Sequence, residues 1–503
     1  MTIINSIASW IIKKRIHQID LFRKYPIEVQ NEHFKQLIAS AKNTVWGIKH
    51  DYKSISNVND FRQRVPLQDY ESLKPYIERA MKGEQDLLWP GEVKWFAKSS
   101  GTTSDKSKFI PVTEESLEEC HYKCGKDMLS IYCNNFEITQ IFSGKSLMLG
   151  GSHHINEMNN ETYIGDLSAV LIQNMPLWAQ FLRSPERSIA LMDNWEEKIE
   201  KMADVTMKEN ITNIAGVPSW TLVLLKRVLE KSGKQNLLEV WPNLELFMHG
   251  GVSFSPYKAQ FQKLIPSPKM NYLETYNASE GFFGISDIPG SDEILLMLDY
   301  GIFYEFIPME EFGQKNPQAI TLENVKTNEN YALVISTNAG LWRYIIGDTI
   351  KFTSLNPFRI KITGRTKHFI NAFGEELMIE NAEKALSIAC EKTKAQIKDY
   401  TAGPIFMDED NTGGHQWLIE FEKEPENLEK FTTYLDNALK TVNSDYEAKR
   451  FNDFVLKMPL VNIMKENTFY EWLKSKGKLG GQNKVPRLAN DRKFIEEILS
   501  LRI

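Results

Sequence analysis

Apolar residues recur at steps of three and four through much of the first half of the chain, and this spacing predicts helices. Residues 1–50 read as helical, with the clearest periodicity over Val29–Ala41. A helix is predicted over Asp69–Arg79, opened by an acidic cap candidate, and another over 114–134. Between helices lie short apolar runs of strand length: 146–152, ending in Gly150-Gly151, then Leu244–Met248 and Lys269–Leu273. Such alternation predicts an α/β sheet with ligands at the strand ends. Near Gly364 the pattern changes. Helices are predicted near Glu380–Lys394 and Pro425–Leu439, with the strand Gln416–Phe421 between them, an α+β unit. The expected organisation is a large N-terminal α/β domain over 1–364 and a small C-terminal α+β domain over 365–503, without internal repeats or low-complexity tracts.

Length supports the division, since 503 residues exceed a single ordinary core. A charged fraction of 25% beside 42% apolar residues belongs to a globular, not a disordered, chain. The net charge of −6 gives no general attraction to nucleic acid. Four cysteines cannot staple a chain of this size, which fits a reducing, cytoplasmic location. Cys120 and Cys124 share a helical spacing but lack further ligands nearby, so they are not read as a metal site. At the N-terminus Ile3, Ile4, Ile7, Trp10 and Ile11 precede Lys13-Lys14-Arg15. The run is too short to span a bilayer, and its basic residues follow rather than precede it, unlike a signal peptide. It is expected to be an amphipathic helix docked on the protein, with peripheral membrane contact as the lesser alternative. No segment reaches membrane-spanning length.

The densest chemistry lies in Ser99-Ser100-Gly101-Thr102-Thr103, followed by Ser104-Asp105-Lys106-Ser107-Lys108 and then Phe109-Ile110-Pro111. Glycine lets the backbone approach a ligand, hydroxyls and N–H groups donate to phosphate oxygens, and lysine adds charge. It is not a Walker loop, because the fifth residue after Gly101 is Lys106, not glycine. By composition alone the stretch reads first as a solvated turn. The motif resembles the phosphate loop of the adenylate-forming superfamily. The spacing from Thr103 to Lys108 is similar to that of the Gretchen Hagen 3 (auxin-responsive) family of acyl acid amido synthetases, as are Val65-Pro66-Leu67-Gln68-Asp69-Tyr70-Glu71 and Pro75–Arg79. Ser104 and Asp105 stand where many relatives have glycines.

Three further segments follow in family order. Tyr276-Asn277-Ala278-Ser279-Glu280 resembles the superfamily's aromatic-x-x-Thr/Ser-Glu element. Glu280 is a hard oxygen ligand suited to Mg²⁺, Ser279 a phosphate donor, and Tyr276 a surface for adenine. Upstream, Gly250-Gly251 resembles backbone lining the adenine and acyl pocket. Gly340-Leu341-Trp342-Arg343-Tyr344 resembles the Gly-Leu-Tyr-Arg-Tyr of plant members and leads to Asp348, whose carboxylate can accept from both ribose hydroxyls, and to Phe352. In isolation Gly347-Asp348 is an ordinary turn. In Gly364-Arg365-Thr366-Lys367 the superfamily's arginine reaches the nucleotide and the lysine falls at the hinge. Lys484-Val485-Pro486-Arg487 resembles Lys-Thr-Pro-Arg, with valine in place of threonine, and a lysine that some plant members carry after the hinge has no counterpart near Gly374–Leu377.

The resemblance implies an adenylate-forming N-terminal domain and a small mobile C-terminal one. It also implies an ATP- and Mg²⁺-dependent ligase that activates a carboxylic acid as acyl-AMP and transfers the acyl group to an amine, an amino acid. Lys484, Ser100 and Thr103 are its candidate catalytic residues. Ser99 to Thr103, Lys108, Gly251, Tyr276 to Glu280, Asp348, Phe352 and Arg365 are the candidate nucleotide contacts, and Glu280 the candidate metal ligand. The acyl pocket is expected along 120–145, 215–222 and 248–254. An acyl-CoA ligase and a non-catalytic nucleotide-binding relative remain open alternatives.

Overall fold

The computed structural model describes residues 3–501 except 100–107, 151–155, 160–161, 193, 252–253, 255–256, 367–368, 376, 408–411, 452–454 and 477–484. Among the sequence candidates, Ser100, Gly101, Thr102, Thr103, Lys367 and Lys484 lie outside the described residues.

A twelve-stranded mixed sheet organises the described chain. Five parallel strands run from its edge in the order Arg183–Ser184, Lys145–Met148, Ile211–Gly216, Leu246–His249 and Asn271–Ala278. The sheet then continues antiparallel through Gly281–Ile285, Ile294–Leu296, Phe358–Arg365, Tyr344–Leu355, Asn330–Thr337, Ile302–Pro308 and Ile320–Thr321. Three of the parallel strands overlap the runs read as strands from hydrophobicity, 146–152, 244–248 and 269–273, with different ends. Their buried faces join helices such as Trp195–Thr206 and Pro218–Ser232 in one apolar core. A second core carries the antiparallel strands and the helices near the N-terminus.

The predicted helices form where the periodicity placed them. Pro26–Ala41 begins with proline at its first position, where the missing N–H costs no intrahelical bond. Tyr70–Ala80 opens on Asp69, whose carboxylate accepts from the Ser72 backbone N–H while the Ser72 hydroxyl accepts from the Asp69 N–H, a reciprocal capping box. The segment read as one helix over 114–134 contains a π-helical turn, Leu117–Tyr122, before Lys123–Asn135. Cys120 and Cys124 are buried in it as free thiols, and the Cys120 sulfur accepts from the Phe282 N–H.

The N-terminal helix, Ile3–Lys13, docks on the helix Lys123–Asn135 as expected, with Ser9 buried and its hydroxyl 3.9 Å from the Cys133 sulfur, but part of its apolar face stays exposed. Ile12 packs on the core, but Ile7, Trp10 (64% exposed) and Ile11 face outward. The next turn adds to this docking: Arg15 Nε lies 2.7 Å from Asp127 Oδ1, and Ile19 and Phe22 of the helix Ile16–Lys24 are buried. No described helix is long and apolar enough to cross a membrane.

The last strand of the large sheet ends at Arg365. Beyond it lies a three-stranded sheet, Gln396–Ile405, Gly414–Lys423 and Leu460–Met464, covered by the helices Ile379–Thr393 and Leu428–Val442. This later part seats on the parallel half of the large sheet. Tyr257 donates its hydroxyl to the Ala372 carbonyl at 2.8 Å, Trp220 Nε1 donates to the Phe373 carbonyl at 3.1 Å, and Lys449 lies 3.9 Å over the Trp220 ring.

Candidate active site

The parallel strands deliver their C-terminal ends to one cavity of about 1490 Å³. Glycine makes the close approach possible there. A Cβ on Gly250 would stand 2.5 Å from Thr275 Oγ1 and 2.7 Å from the Thr275 carbonyl oxygen, and Gly251 adopts φ +82°. Three sequence-remote segments meet at this cavity.

The first is a hairpin. Trp95–Ser99 pairs antiparallel with Lys108–Val112, and Ser99 is the register partner of Lys108. Both residues line the cavity, so the ends of the glycine-hydroxyl loop are set at its wall by strand pairing. The Phe109 N–H donates to the Tyr70 hydroxyl at 2.9 Å, tying this hairpin to the capped helix.

The second segment is the turn between the strands Asn271–Ala278 and Gly281–Ile285. Tyr276, Asn277, Ala278, Ser279 and Glu280 all line the cavity. Glu280 is buried, with Oε1 3.5 Å from the Tyr344 hydroxyl, and Lys108 Nζ lies 3.4 Å from that same hydroxyl. Burial first, then the Glu280 charge, hold the Tyr344 phenol well above its ordinary range, so it remains protonated. Tyr70, whose ring lies 5.8 Å from Lys108 Nζ, is pushed up to about 12 by burial. Lysine, phenol and carboxylate are therefore assembled from three parts of the chain. One buried carboxylate beside the Ser99–Lys108 hairpin fits Mg²⁺, which is commonly held by one or two carboxylates plus substrate phosphates. Among the described residues no cluster of three or more ligating side chains offers an all-protein cage.

The third segment is the Asp348–Arg365 pair. The two are register partners on adjacent strands, with Arg365 Nε 2.8 Å from Asp348 Oδ1. The Tyr276 hydroxyl donates to Asp348 Oδ2 at 2.7 Å. Tyr276 is thus held by its hydroxyl, with its ring 4.9 Å from that of Phe283. Burial and the adjoining Asp348 charge keep the phenol protonated. All three side chains line the cavity.

Phe352 does not join this group. It is 0% exposed, with its ring 5.1 Å from Phe306 and 5.8 Å from Phe358, inside the antiparallel core and away from the cavity wall. Alternation along Tyr344–Leu355 explains the difference. Asp348 and Phe352 point the same way in an even count, but register shifts interrupt the pairing between Thr349 and Ile350 and between Phe352 and Ser354.

The same cavity also has an apolar lining. Leu129, Phe142, Met148, Met248 and Phe254 line it, from the stretches 120–145 and 248–254, and Ala215 to Val217 and Trp220 join them. Sequence reading missed the wall formed by Leu167, Leu171, Ile172 and Met175, because an apolar helix shows which face is buried but not whether a cavity lies beneath it. It also missed Tyr70 and Tyr344 as the neighbours of Lys108, although both stand inside quoted motifs. His249 lines the cavity with its pKa lowered to about 3 by burial, so it is neutral at ordinary pH.

The comparisons agree with this geometry. The GH3 family N-terminal domain profile matches residues 15–270, the central domain profile 295–365 and the C-terminal domain profile 380–493. The chain is 21% identical to the indole-3-acetic acid-amido synthetase GH3.3 of Arabidopsis thaliana, over 93% of this chain and 90% of that protein. It is 23% identical to the 4-substituted benzoates-glutamate ligase GH3.12 of the same plant, over 87% and 88%. In fold it is similar to the GH3.15 acyl acid amido synthetase, with a TM-score of 0.62 and 16% identity over 97% of this chain and 96% of that one. It is also similar to 2-hydroxyisobutyryl-CoA ligase, with a TM-score of 0.58 and 13% identity over 94% and 91%. With three consecutive domain profiles matched along its length, this chain belongs to the GH3 family.

Proposed function

We propose that the protein is an ATP- and Mg²⁺-dependent acyl acid amido synthetase. A carboxylate oxygen of the acid attacks the α-phosphorus of ATP, pyrophosphate leaves, and the acyl-AMP formed is attacked at its carbonyl by an amine. AMP then leaves with the former carboxylate oxygen and the amine loses a proton. Adenylation is needed because AMP departs far more readily than hydroxide.

The observation that carries this reading is the convergence of the hairpin ends, the Ser279-Glu280 turn and the Asp348–Arg365 pair on one cavity that also offers apolar lining. In it Ser99 and Lys108 hold the ends of a phosphate loop that includes Ser100, Gly101, Thr102 and Thr103. Glu280 holds Mg²⁺, which offsets charge on the phosphates. Asp348 takes the ribose, oriented by Tyr276 and Arg365, while Gly251, Asn277, Ala278 and Ser279 border the adenine and phosphates. Lys484, assigned from sequence, approaches the reacting carboxylate from a small domain, 365–503, that closes on the large one, 1–364. The relative named as a 4-substituted benzoates-glutamate ligase supports an amino acid as the amine. Four free thiols support a cytoplasmic site of action.

Acid-dependent pyrophosphate release, followed by mass analysis of the product with amino acids or coenzyme A, tests the proposal. An amide with an amino acid is expected. A thioester without amide would replace it with the acyl-CoA ligase reading, and absence of acid-dependent pyrophosphate release across a broad acid panel would favour a non-catalytic relative.

A further inference from the structure

At the N-terminal ends of the parallel strands, opposite the end just described, a row of polar side chains crosses the sheet. Arg183 is the register partner of Ser146, and Ser146 of Asn213. Residues in one row of a sheet project to one face, and all three line the cavity. Four of their polar atoms are unmatched among the described residues: Arg183 Nε and Nη1, Ser146 Oγ and Asn213 Oδ1 are buried without a hydrogen-bond partner.

Arg183 is the telling member. Its side chain is buried, the residue being 4% exposed, and among the described residues no carboxylate pairs with it. Burial and the like charge of Arg187 both lower its proton affinity, the reverse of what an internal partner would do. A guanidinium taken out of water without a counter-charge costs several kcal/mol, so an anion seated against it would relieve that cost. Its free N–H groups match an oxyanion, with the Ser146 hydroxyl as a further donor. Asn213 Nδ2 donates to Thr212 Oγ1 at 3.3 Å, and half a turn of the amide, giving up that long bond, would present the NH₂ to the anion.

The span fixes what kind of anion this is. The row crosses Leu246 on its way over the sheet, and the catalytic end of that strand is His249, three residues on. That places the row about 10 Å from the strand ends, at roughly 3.3 Å per residue. The carboxylate of an α-amino acid acceptor, adjacent to its amine, cannot reach so far from the reacting carbonyl. Between row and strand ends stand Met148 and Met248, an apolar sleeve. We propose that the acid bound here is bifunctional, an apolar body whose first carboxylate lies at the strand ends and whose second, oxyanionic group is held by Arg183 with Ser146 and Asn213. The identity of the first group as the activated one rests on the acid-activating reading above.

Equilibrium calorimetry with the full chain tests the site without requiring turnover. The probes are a length series of α,ω-dicarboxylic acids and the monocarboxylic acids of equal length. The wild type is expected to bind the best diacid about 10- to 100-fold more tightly than its monoacid, the range for a charged hydrogen-bonded contact. Arg183→Met should bring the two affinities level, and Asn213→Leu should shrink the preference. Circular dichroism monitors folding, and if Arg183→Met does not fold, Asn213→Leu and Arg183→Lys carry the test. A wild type that binds monoacids as tightly, or a folded variant at Arg183 or Asn213 that keeps the full preference, overturns the proposal and marks the row as hydrated structure. Pyrophosphate release is measured separately. Its absence alongside an Arg183-dependent diacid preference would sink the ligase reading and leave this site standing, whereas release with monoacids and no diacid preference would do the opposite.

Discussion

Asp348 and Arg365 face each other across two adjacent strands, and the Arg365 Nε–Asp348 Oδ1 distance is 2.8 Å. The carboxylate's other oxygen accepts from Tyr276 at 2.7 Å. One aspartate therefore links the antiparallel half of the sheet to the last of its parallel strands. Its orientation is set before any ligand arrives, which is the condition for selective recognition of a diol.

Asp348→Asn should weaken both functions of that link. Discrimination between ATP and its 2′,3′-dideoxy analogue should largely disappear, and stability should fall by about 1–3 kcal/mol as the charge-assisted bonds are lost. Parallel measurement of pyrophosphate release with the two nucleotides and of denaturant unfolding checks both. Undiminished discrimination would remove Asp348 from ribose recognition.

Tyr276→Phe keeps the ring and deletes the donor. In a double-mutant cycle with Asp348→Asn, the coupling on the KM for ATP should lie at about 0.5–3 kcal/mol, the range for residues sharing a hydrogen bond. Strict additivity would mean that Tyr276 does not act through Asp348.

Glu280→Gln removes the one cavity carboxylate that stands beside Tyr344 and Lys108. The Mg²⁺ concentration giving half-maximal pyrophosphate release should rise at least tenfold, while the KM for the acid changes little. An unchanged Mg²⁺ dependence would place the metal elsewhere.

Phe352→Ala should behave as a core deletion. The ring packs on Phe306, Tyr331 and Phe358, so a loss of about 3–5 kcal/mol is expected. The KM for ATP, measured where the variant is still folded, should stay at the wild-type value. A large selective rise in that KM would return Phe352 to the nucleotide site.

Two buried histidines predict acid sensitivity. Burial lowers His121 from 6.5 to about 4 and His249 from 6.5 to about 3. A histidine kept neutral in the fold but free to charge when unfolded favours unfolding once the pH falls below 6.5, and the loss continues toward its folded pKa. Stability should be flat above pH 6.5 and fall by about 2 kcal/mol per group by pH 5. Thermal melts of wild type and His121→Phe over pH 4.5–7.5 measure it, the variant losing less on acidification.

Local signals and motif resemblance were enough for much of this protein. Periodicity marked the helix Pro26–Ala41 and the cap at Asp69, since amphipathic spacing and capping involve residues close in sequence. Three strand runs were legible for the same reason, and the order of the quoted motifs led to the GH3 family now matched across the chain. Pairings between distant residues were not legible. That Tyr276 would spend its hydroxyl on Asp348, that Lys108 and Glu280 would meet at Tyr344, and that Phe352 would turn into the core depends on strand register, where one residue of slip reverses a side chain's face. The row Arg183–Ser146–Asn213 is the extreme case, three unremarkable residues on strands whose neighbourhood only the sheet order creates. The N-terminal helix makes the same point from the other side: its pattern announced an apolar face, and only the packing shows that Ser9 and Ile12 turn inward while Trp10 stays outside.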